Sequence, residues 1–442
     1  MSEIKKYEKW LEDAIVQANI SNIFDNLLTI AVEKWASDIH IEPYEYHSRI
    51  RLREDGILFE LIQFPSNIHE SIIAKFKIES WQMRPDEKRL PQDARVSTTT
   101  LTNKDIDLRA NTLPTVWWEK LCIRIVDKSE ETPPITKLWV EGVNNDILFN
   151  NIESPNWIIL TTWPTWSGKS TTMYSSLSYI NREDVNITTY EDPVENKVEW
   201  INQSQMKSDI WYTFASWLRA ALRQDPDIIL VWEIRDQETL ETAMEAAMTW
   251  HLVFSTLHAN SAAETITRIV NMWAEPYMLA GTFNIIMAQR LARRVCTKCK
   301  TTYNIKENNP KFYKHAKETL QEMDQRYIRR EIKKREIDDK KWKQFIQNWI
   351  AYKWTWKDPK NWETCPRCWG SWYKWRTGIY EILEFNNRIK EKVLDWVNAF
   401  WLELYALDKW MINLERDWIL KAIQWTIDFK EVYRLTKHKT LK

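Results

Sequence analysis

The apolar positions of the chain follow two different rhythms, and the change between them marks its domains. Residues 1–13 read as a charged helical lead-in. Ile20 to Val32 has helical apolar spacing, and Ala36 to Pro43 then turns into a strand. Ser48 to Ile62 reads as a hairpin around Glu54-Asp55-Gly56, whose Asp-Gly dipeptide suits a tight turn. Ser71 to Ile78 reads as helix, and Arg95 to Thr100, Ile106 to Ala110 and Lys120 to Val126 as strands. The pattern predicts an α+β domain over 14–128, followed by a polar, proline-bearing linker at 129–136.

From 137 to 294 the rhythm becomes short apolar runs alternating with amphipathic segments. Ile158 to Thr162, Ile187 to Tyr190, Ile228 to Val231 and Leu252 to Thr256 are runs of the buried-strand type. Phe214 to Arg223 and Thr239 to Met248 read as helices between them. Such alternation predicts an α/β domain with a mostly parallel sheet covered on both faces. Residues 295–380 hold two cysteine pairs parted by a Lys- and Glu-rich stretch, 304–358, expected to be a solvated, peripheral helical insertion. The segment 381–442 reads as a helical subdomain.

Composition changes this picture in two ways. The chain has 62 basic and 62 acidic residues, which argues against a nucleic-acid partner, and 44% apolar residues, enough for real cores. It has no long apolar run and no basic-then-apolar leader, so neither a membrane span nor a signal peptide is expected. The second change is larger. There are only 6 glycines but 28 tryptophans in 442 residues, and together they make 34, close to the roughly 7% usual for glycine alone. Tryptophan also stands where turns call for glycine, as at Trp117-Trp118 and in Cys368-Trp369-Gly370-Ser371-Trp372. The counts fit a gene in which UGA encodes glycine and is written here as tryptophan.

The chemistry gathers around Trp157 to Thr172, a strand, a loop ending Gly168-Lys169-Ser170, and a helix from Thr171 to Ile180. This is the layout of a phosphate-binding loop, in which Lys169 reaches the β- and γ-phosphates and Ser170 is placed for Mg²⁺. The motif wants glycine at 163 and a tight loop wants it at 166, where the chain has Trp163 and Trp166. Indoles there would fill the space a nucleotide needs. Cys296-x-x-Cys299 and Cys365-x-x-Cys368 form a four-thiolate set suited to tetrahedral Zn²⁺. Cys122, isolated in an apolar strand, is expected to be a core residue.

Four stretches follow in order: Thr161 to Thr172, Ile187 to Glu195, Gln224 to Asp236 and Leu252 to Asn260. Together they resemble the secretion ATPase superfamily, the hexameric motors of type II secretion and type IV pili. The resemblance extends through Ala36–Pro43, Glu87–Asp93 and Asp107–Thr115 to the cysteine pairs, nearly the whole chain. Several departures from the family pattern are tryptophan for glycine, at 163, 166, 232 and 250.

The resemblance implies an N-terminal ATP-gripping domain, a RecA-like P-loop domain, a zinc subdomain and C-terminal helices. Pro164, Thr165, Trp166, Ser167, Gly168, Lys169, Ser170 and Thr171 would cradle ATP, and Glu233 would join Ser170 at Mg²⁺. Glu191 would polarise the attacking water, and His258 would sense the γ-phosphate. Arg109 and Arg124 would close the ring over the nucleotide, while His251, Arg219 and Arg223, the arginines four apart on one helix, would couple subunits. Asp192 and Glu195 read as structural or solvated. The family further implies a homohexamer on the cytoplasmic face of the inner membrane, moving a platform protein and, through it, pilin or pseudopilin. The cysteine pairs favour an assembly motor over a retraction motor. Two alternatives are a RecA-like nucleic-acid translocase and, should Trp163 and Trp166 be genuine, a catalytically dead ring scaffold.

Overall fold

The computed structural model describes residues 2–54, 56–127, 132–162, 168–206, 213–298, 300–308, 310–338, 342, 343, 345, 347, 350–354, 373–395, 398–424, 426–428 and 431. The chain divides into two compact units, Met1–Glu131 and Thr132–Lys442.

In the first unit, helices α1 (Ser2–Val16) and α2 (Ile20–Glu33) lead into strands β1 (Ala36–Pro43), β2 (His47–Glu54) and β3 (Ile57–Pro65). Helix α3 (His69–Ser80) then precedes β4 (Gln92–Thr99), β5 (Asp105–Pro114) and β6 (Glu119–Asp127). The six strands form one antiparallel sheet in the order β3-β2-β1-β6-β5-β4. Alternation along β1, β2, β5 and β6 gives it an apolar and a polar face. Ile39, Ile41, Ile50, Leu52, Ile106, Leu108, Leu121 and Ile123 are buried in one core with Ile23, Leu27 and Ile30 of α2. The intervening positions put Asp38, Glu42, Arg49, Arg51, Arg53, Lys120 and Arg124 together, tied by ion pairs to Glu42 and Asp38. Cys122 belongs to this second set and is only half-buried, so it is not the core residue expected; its neighbours Leu121 and Ile123 are.

The second unit opens with α4 (Gly142–Ile152), β7 (Trp157–Thr162), α5 (Lys169–Ile180), β8 (Ile187–Glu191) and β9 (Asn202–Gln205). It continues through α6 (Phe214–Ala221), β10 (Ile228–Val231), α7 (Gln237–Met248), β11 (Leu252–Leu257), α8 (Ala262–Asn271), α9 (Pro276–Thr282) and β12 (Phe283–Val295). After these come β13 (Lys300–Asn304), α10 (Ile305–Asn308), α11 (Pro310–Glu322), α12 (Gln325–Lys334), β14 (Ile350–Trp354) and β15 (Tyr373–Glu384). Helices α13 (Asn387–Leu394), α14 (Ala399–Lys409) and α15 (Leu414–Ile423) follow. The main sheet runs β15-β12-β7-β11-β10-β8-β9, parallel throughout except for β15. The predicted parallel sheet is therefore present, with the apolar runs Ile158–Leu160, Ile228–Val231 and Leu252–Phe254 at its centre, all buried. Among the described residues, no helix is long and apolar enough to cross a membrane.

The expectation of a solvated insertion fails for α11 and α12. Most of their charges are exposed, but Ala316, Leu320, Ile328 and Ile332 join Ile419, Leu420 and Ile423 of α15 in a core, and Glu331 is buried with them. Just beyond α12, the fully buried Arg335 gives Nε to Glu331 and Nη2 to Asp417, each at 2.7 Å. A charge run carried this docking unseen, because burial of paired charges leaves no apolar signature in sequence.

Candidate active site

The site lies where β7, β10 and β11 end, the edge at which parallel sheets offer ligands their crevice. The first part is α5. Gly168 caps it with φ 83°, a left-handed backbone that glycine takes freely. A Cβ at Gly168 would lie 3.1 Å from Gln289 Nε2 and 3.3 Å from a Leu291 methyl, so β12 presses directly on the loop's exit. Gln289 also accepts a hydrogen bond from Thr172, at 2.8 Å. The first amides of α5, at Lys169, Ser170 and Thr171, are helix-start donors suited to an anion.

Lys169 reaches back under the sheet edge, with Nζ 4.5 Å from the centre of the Trp232 ring. Burial lowers its pKa, against the raising pull of Glu233 and Glu195. Ser170 donates its hydroxyl hydrogen to Glu195. Glu195, expected to be structural or solvated, is half-buried and holds the Ser170 side chain. Its sequence signal was the acid-rich run Tyr190–Glu195 itself.

Glu233, two residues past β10, is buried, and its carboxylate meets two side chains from the site's rim, His258 and Arg235. Oε1 lies 3.1 Å from His258 Nε2, and Oε2 accepts from Arg235 Nε at 2.8 Å. Arg235 Nη1 stands 3.5 Å from Asp192. His258 ends β11, exposed, and its carbonyl accepts from Arg268 at 2.6 Å. Strand pairing in register puts these groups together: β10 and β11 run parallel with Val231 beside Ser255, so the residues that follow emerge at one edge.

Glu191, at the end of β8, is fully buried. It accepts from Tyr174 Oη, from Thr189 Oγ1 at 2.7 Å and from Gln203 Nε2 at 3.0 Å. Burial pushes its carboxyl pKa up, more than these three donors pull it down. The Tyr174 hydroxyl in turn accepts the Glu195 amide at 3.2 Å, linking Glu191 to the Ser170 side of the site. Tyr174, Gln203 and Gln289 carried no sequence signal, being ordinary polar residues of a helix and two strands.

The remaining residues lie elsewhere. His251 is at the opposite end of β11 from His258, roughly 20 Å along the strand. Its Nδ1 is 2.9 Å from the Ala246 carbonyl and 3.2 Å from Thr249 Oγ1, so it closes the end of α7. Arg219 is exposed on α6 and pairs with Glu238 at 3.0 Å. Arg223 lies past Leu222, the cap of α6, so the two arginines do not share one helix face. In the first unit, Arg109 and Arg124 face each other across β5 and β6, with Arg95 opposite Arg109 on β4. Arg124 Nε is 3.5 Å from Asp38 Oδ1. Trp163, Pro164, Thr165, Trp166, Ser167, Cys299, Cys365 and Cys368 lie outside the described residues, whereas Cys296 is buried just after β12.

The family model described as "Type II/IV secretion system protein" matches residues 13–434. The chain is 36% identical over 429 residues to the type IV pilus assembly ATPase PilB of Pseudomonas aeruginosa, covering 96% of this chain and 69% of that protein. It is 34% identical over 427 residues to the type II secretion system protein E of Aeromonas hydrophila, covering 97% and 77%. Among solved structures, the Yersinia pseudotuberculosis ATPase DotB matches with a TM-score of 0.64 at 19% identity, over 94% of this chain and 93% of that one, a likeness of fold. A lysine at the start of α5, a buried acid after β10 and a histidine after β11 thus stand in a chain matched almost end to end. This protein belongs to the type II/IV secretion system protein family and is one of its ATPases.

Proposed function

We propose that the chain is the ATP-driven assembly motor of a type IV pilus or a type II secretion pseudopilus. In this reading it works as a homohexamer on the cytoplasmic face of the inner membrane, where it moves a platform protein and thereby pilin or pseudopilin subunits. The convergence of Lys169, Ser170, Glu233 and His258 at one sheet edge carries the reading.

Within that reading the roles are distinct. Residues 164–171 form the phosphate cradle, in which Lys169 and the first amides of α5 meet the phosphate oxygens. Ser170 and Glu233 would supply oxygen donors for Mg²⁺, which would neutralise phosphate charge there. Glu191 polarises the attacking water, for which its buried carboxylate has to give up one of its three donors. His258 reports γ-phosphate loss through Glu233. Arg109 and Arg124 supply positive charge from the first unit, and His251, Arg219 and Arg223 couple neighbours. Cys296, Cys299, Cys365 and Cys368 are the donors for a structural Zn²⁺. The segments 14–128, 137–294, 295–380 and 381–442 serve as gripping domain, ATPase domain, zinc subdomain and helical subdomain.

Sedimentation of the native protein with and without MgATP tests the ring. A species of six chains in MgATP is expected, and a monomer at every nucleotide and protein concentration would overturn it.

A further inference from the structure

Among the described residues, twelve that are not glycine have positive φ, and eight of these are tryptophan. They are Trp35, Trp81, Trp139, Trp157, Trp200, Trp250, Trp273 and Trp375, with φ from 56° to 84°. Tryptophan is only 28 of 442 residues, so its share of this backbone class is far out of proportion. In the left-handed region Cβ crowds the neighbouring carbonyl, which short polar residues tolerate and bulky ones rarely do. Glycine alone enters it without that clash.

The hydrogen bonds at these positions point the same way. Trp35, Trp81, Trp250 and Trp273 each end a helix, namely α2, α3, α7 and α8. After α8, Trp273 N–H bonds the Val270 carbonyl at 2.9 Å and Ala274 N–H bonds Ile269 at 3.4 Å. This is the paired closure in which a left-handed residue, usually glycine, turns the chain off a helix. After α7, His251 N–H reaches back to the Ala246 carbonyl at 3.3 Å around Trp250 in the same way. At four of the eight the side chains add nothing to explain the choice. Trp81 is 93% exposed, Trp200 89%, Trp273 81% and Trp250 77%, so their indoles bury almost no surface. Trp217 is the contrast: it lies in right-handed α6, is buried, and stacks on Tyr190 at 4.6 Å.

We infer that the native protein carries glycine at all eight positions, each encoded by a UGA codon that its own ribosomes read as glycine. Counts and motifs alone left open which tryptophans are affected, and the backbone assigns these eight. Positions 163, 166 and 232, where the family resemblance calls for glycine, would carry the consequence into the nucleotide site. An indole at 232 stands against Lys169 and, at 5.9 Å, against the Tyr174 ring. Glycine there leaves the ammonium facing Glu233 and the incoming phosphates.

Tandem mass spectrometry of a digest of the protein purified from its own cells tests the assignment. Each exchange lowers its peptide by about 129 Da, the difference between an indolylmethyl group and a hydrogen. Glycine masses at all eight positions are expected. A tryptophan mass at any of them overturns the assignment.

Discussion

Glu233 and His258 face each other across the ends of β10 and β11, with Oε1 and Nε2 3.1 Å apart. One atom pair thus joins the acid proposed for the metal to the histidine proposed as γ-phosphate sensor. The account predicts that Glu233→Gln and His258→Ala each lower ATP turnover about a hundredfold or more, with nucleotide affinity within a few-fold. Because the two act through one contact, the double variant is expected to lose little more than the worse single one. Stopped-flow phosphate release and equilibrium binding of a fluorescent nucleotide separate the two effects.

Ser170 donates its hydroxyl hydrogen to Glu195. Removing the hydroxyl removes a metal donor, whereas removing Glu195 removes its competitor. Ser170→Ala should raise the Mg²⁺ concentration for half-maximal hydrolysis about tenfold or more, and Glu195→Ala should lower it. A Mg²⁺ titration at fixed ATP reads both. Equal shifts in one direction would break the link between the two residues.

Glu381 on β15 offers a pH dependence. Its carboxylate is buried and accepts the amides of Ala262 at 2.7 Å and Leu414 at 3.3 Å, yet burial pushes its pKa up to about 7. A raised carboxyl pKa stabilises the fold below the unfolded value, and that stability is lost as pH rises through the folded one. Between about pH 4.5 and 7 the native protein should therefore lose about 3 kcal/mol from this group. Glu381→Gln should flatten that slope in urea-unfolding midpoints measured across the range.

Arg335 is the pivot by which the charged insertion is fixed to α15 within the second unit. Its partners Glu331 and Asp417 are themselves buried, and Glu331 also accepts the Val143 amide at 2.8 Å. Arg335→Ala takes the guanidinium from buried Glu331 and leaves Asp417 with Lys421, 3.0 Å away, as its cation, and should cost about 3–5 kcal/mol. Gly142, at φ 64°, leaves room for this contact: a Cβ there would fall 1.9 Å from Glu331 Oε2. Gly142→Ala should therefore also destabilise, and chemical denaturation measures both.

The central strands were legible because Ile158–Leu160, Ile228–Val231 and Leu252–Phe254 are short, apolar and buried on both faces. The site's cation and acids were legible because each follows such a strand. β12 and β15 were harder. Arg290, Arg293 and Arg294 interrupt the apolar pattern of β12, and β15 reaches it from some eighty residues away to pair antiparallel, as Leu291 with Gly378. The docking of α12 and the contact of Ser170 with Glu195 are tertiary pairings of polar groups, which local periodicity does not encode.

Steady-state ATP hydrolysis by the native protein and its Lys169→Ala variant tests the central claim most directly. The account predicts Mg²⁺-dependent turnover that falls about a hundredfold or more when the ammonium is removed, as expected for a group meeting transferring phosphate. Turnover in Lys169→Ala within about threefold of the parent would contradict it, since a change that small is under ~1 kcal/mol of transition-state stabilisation.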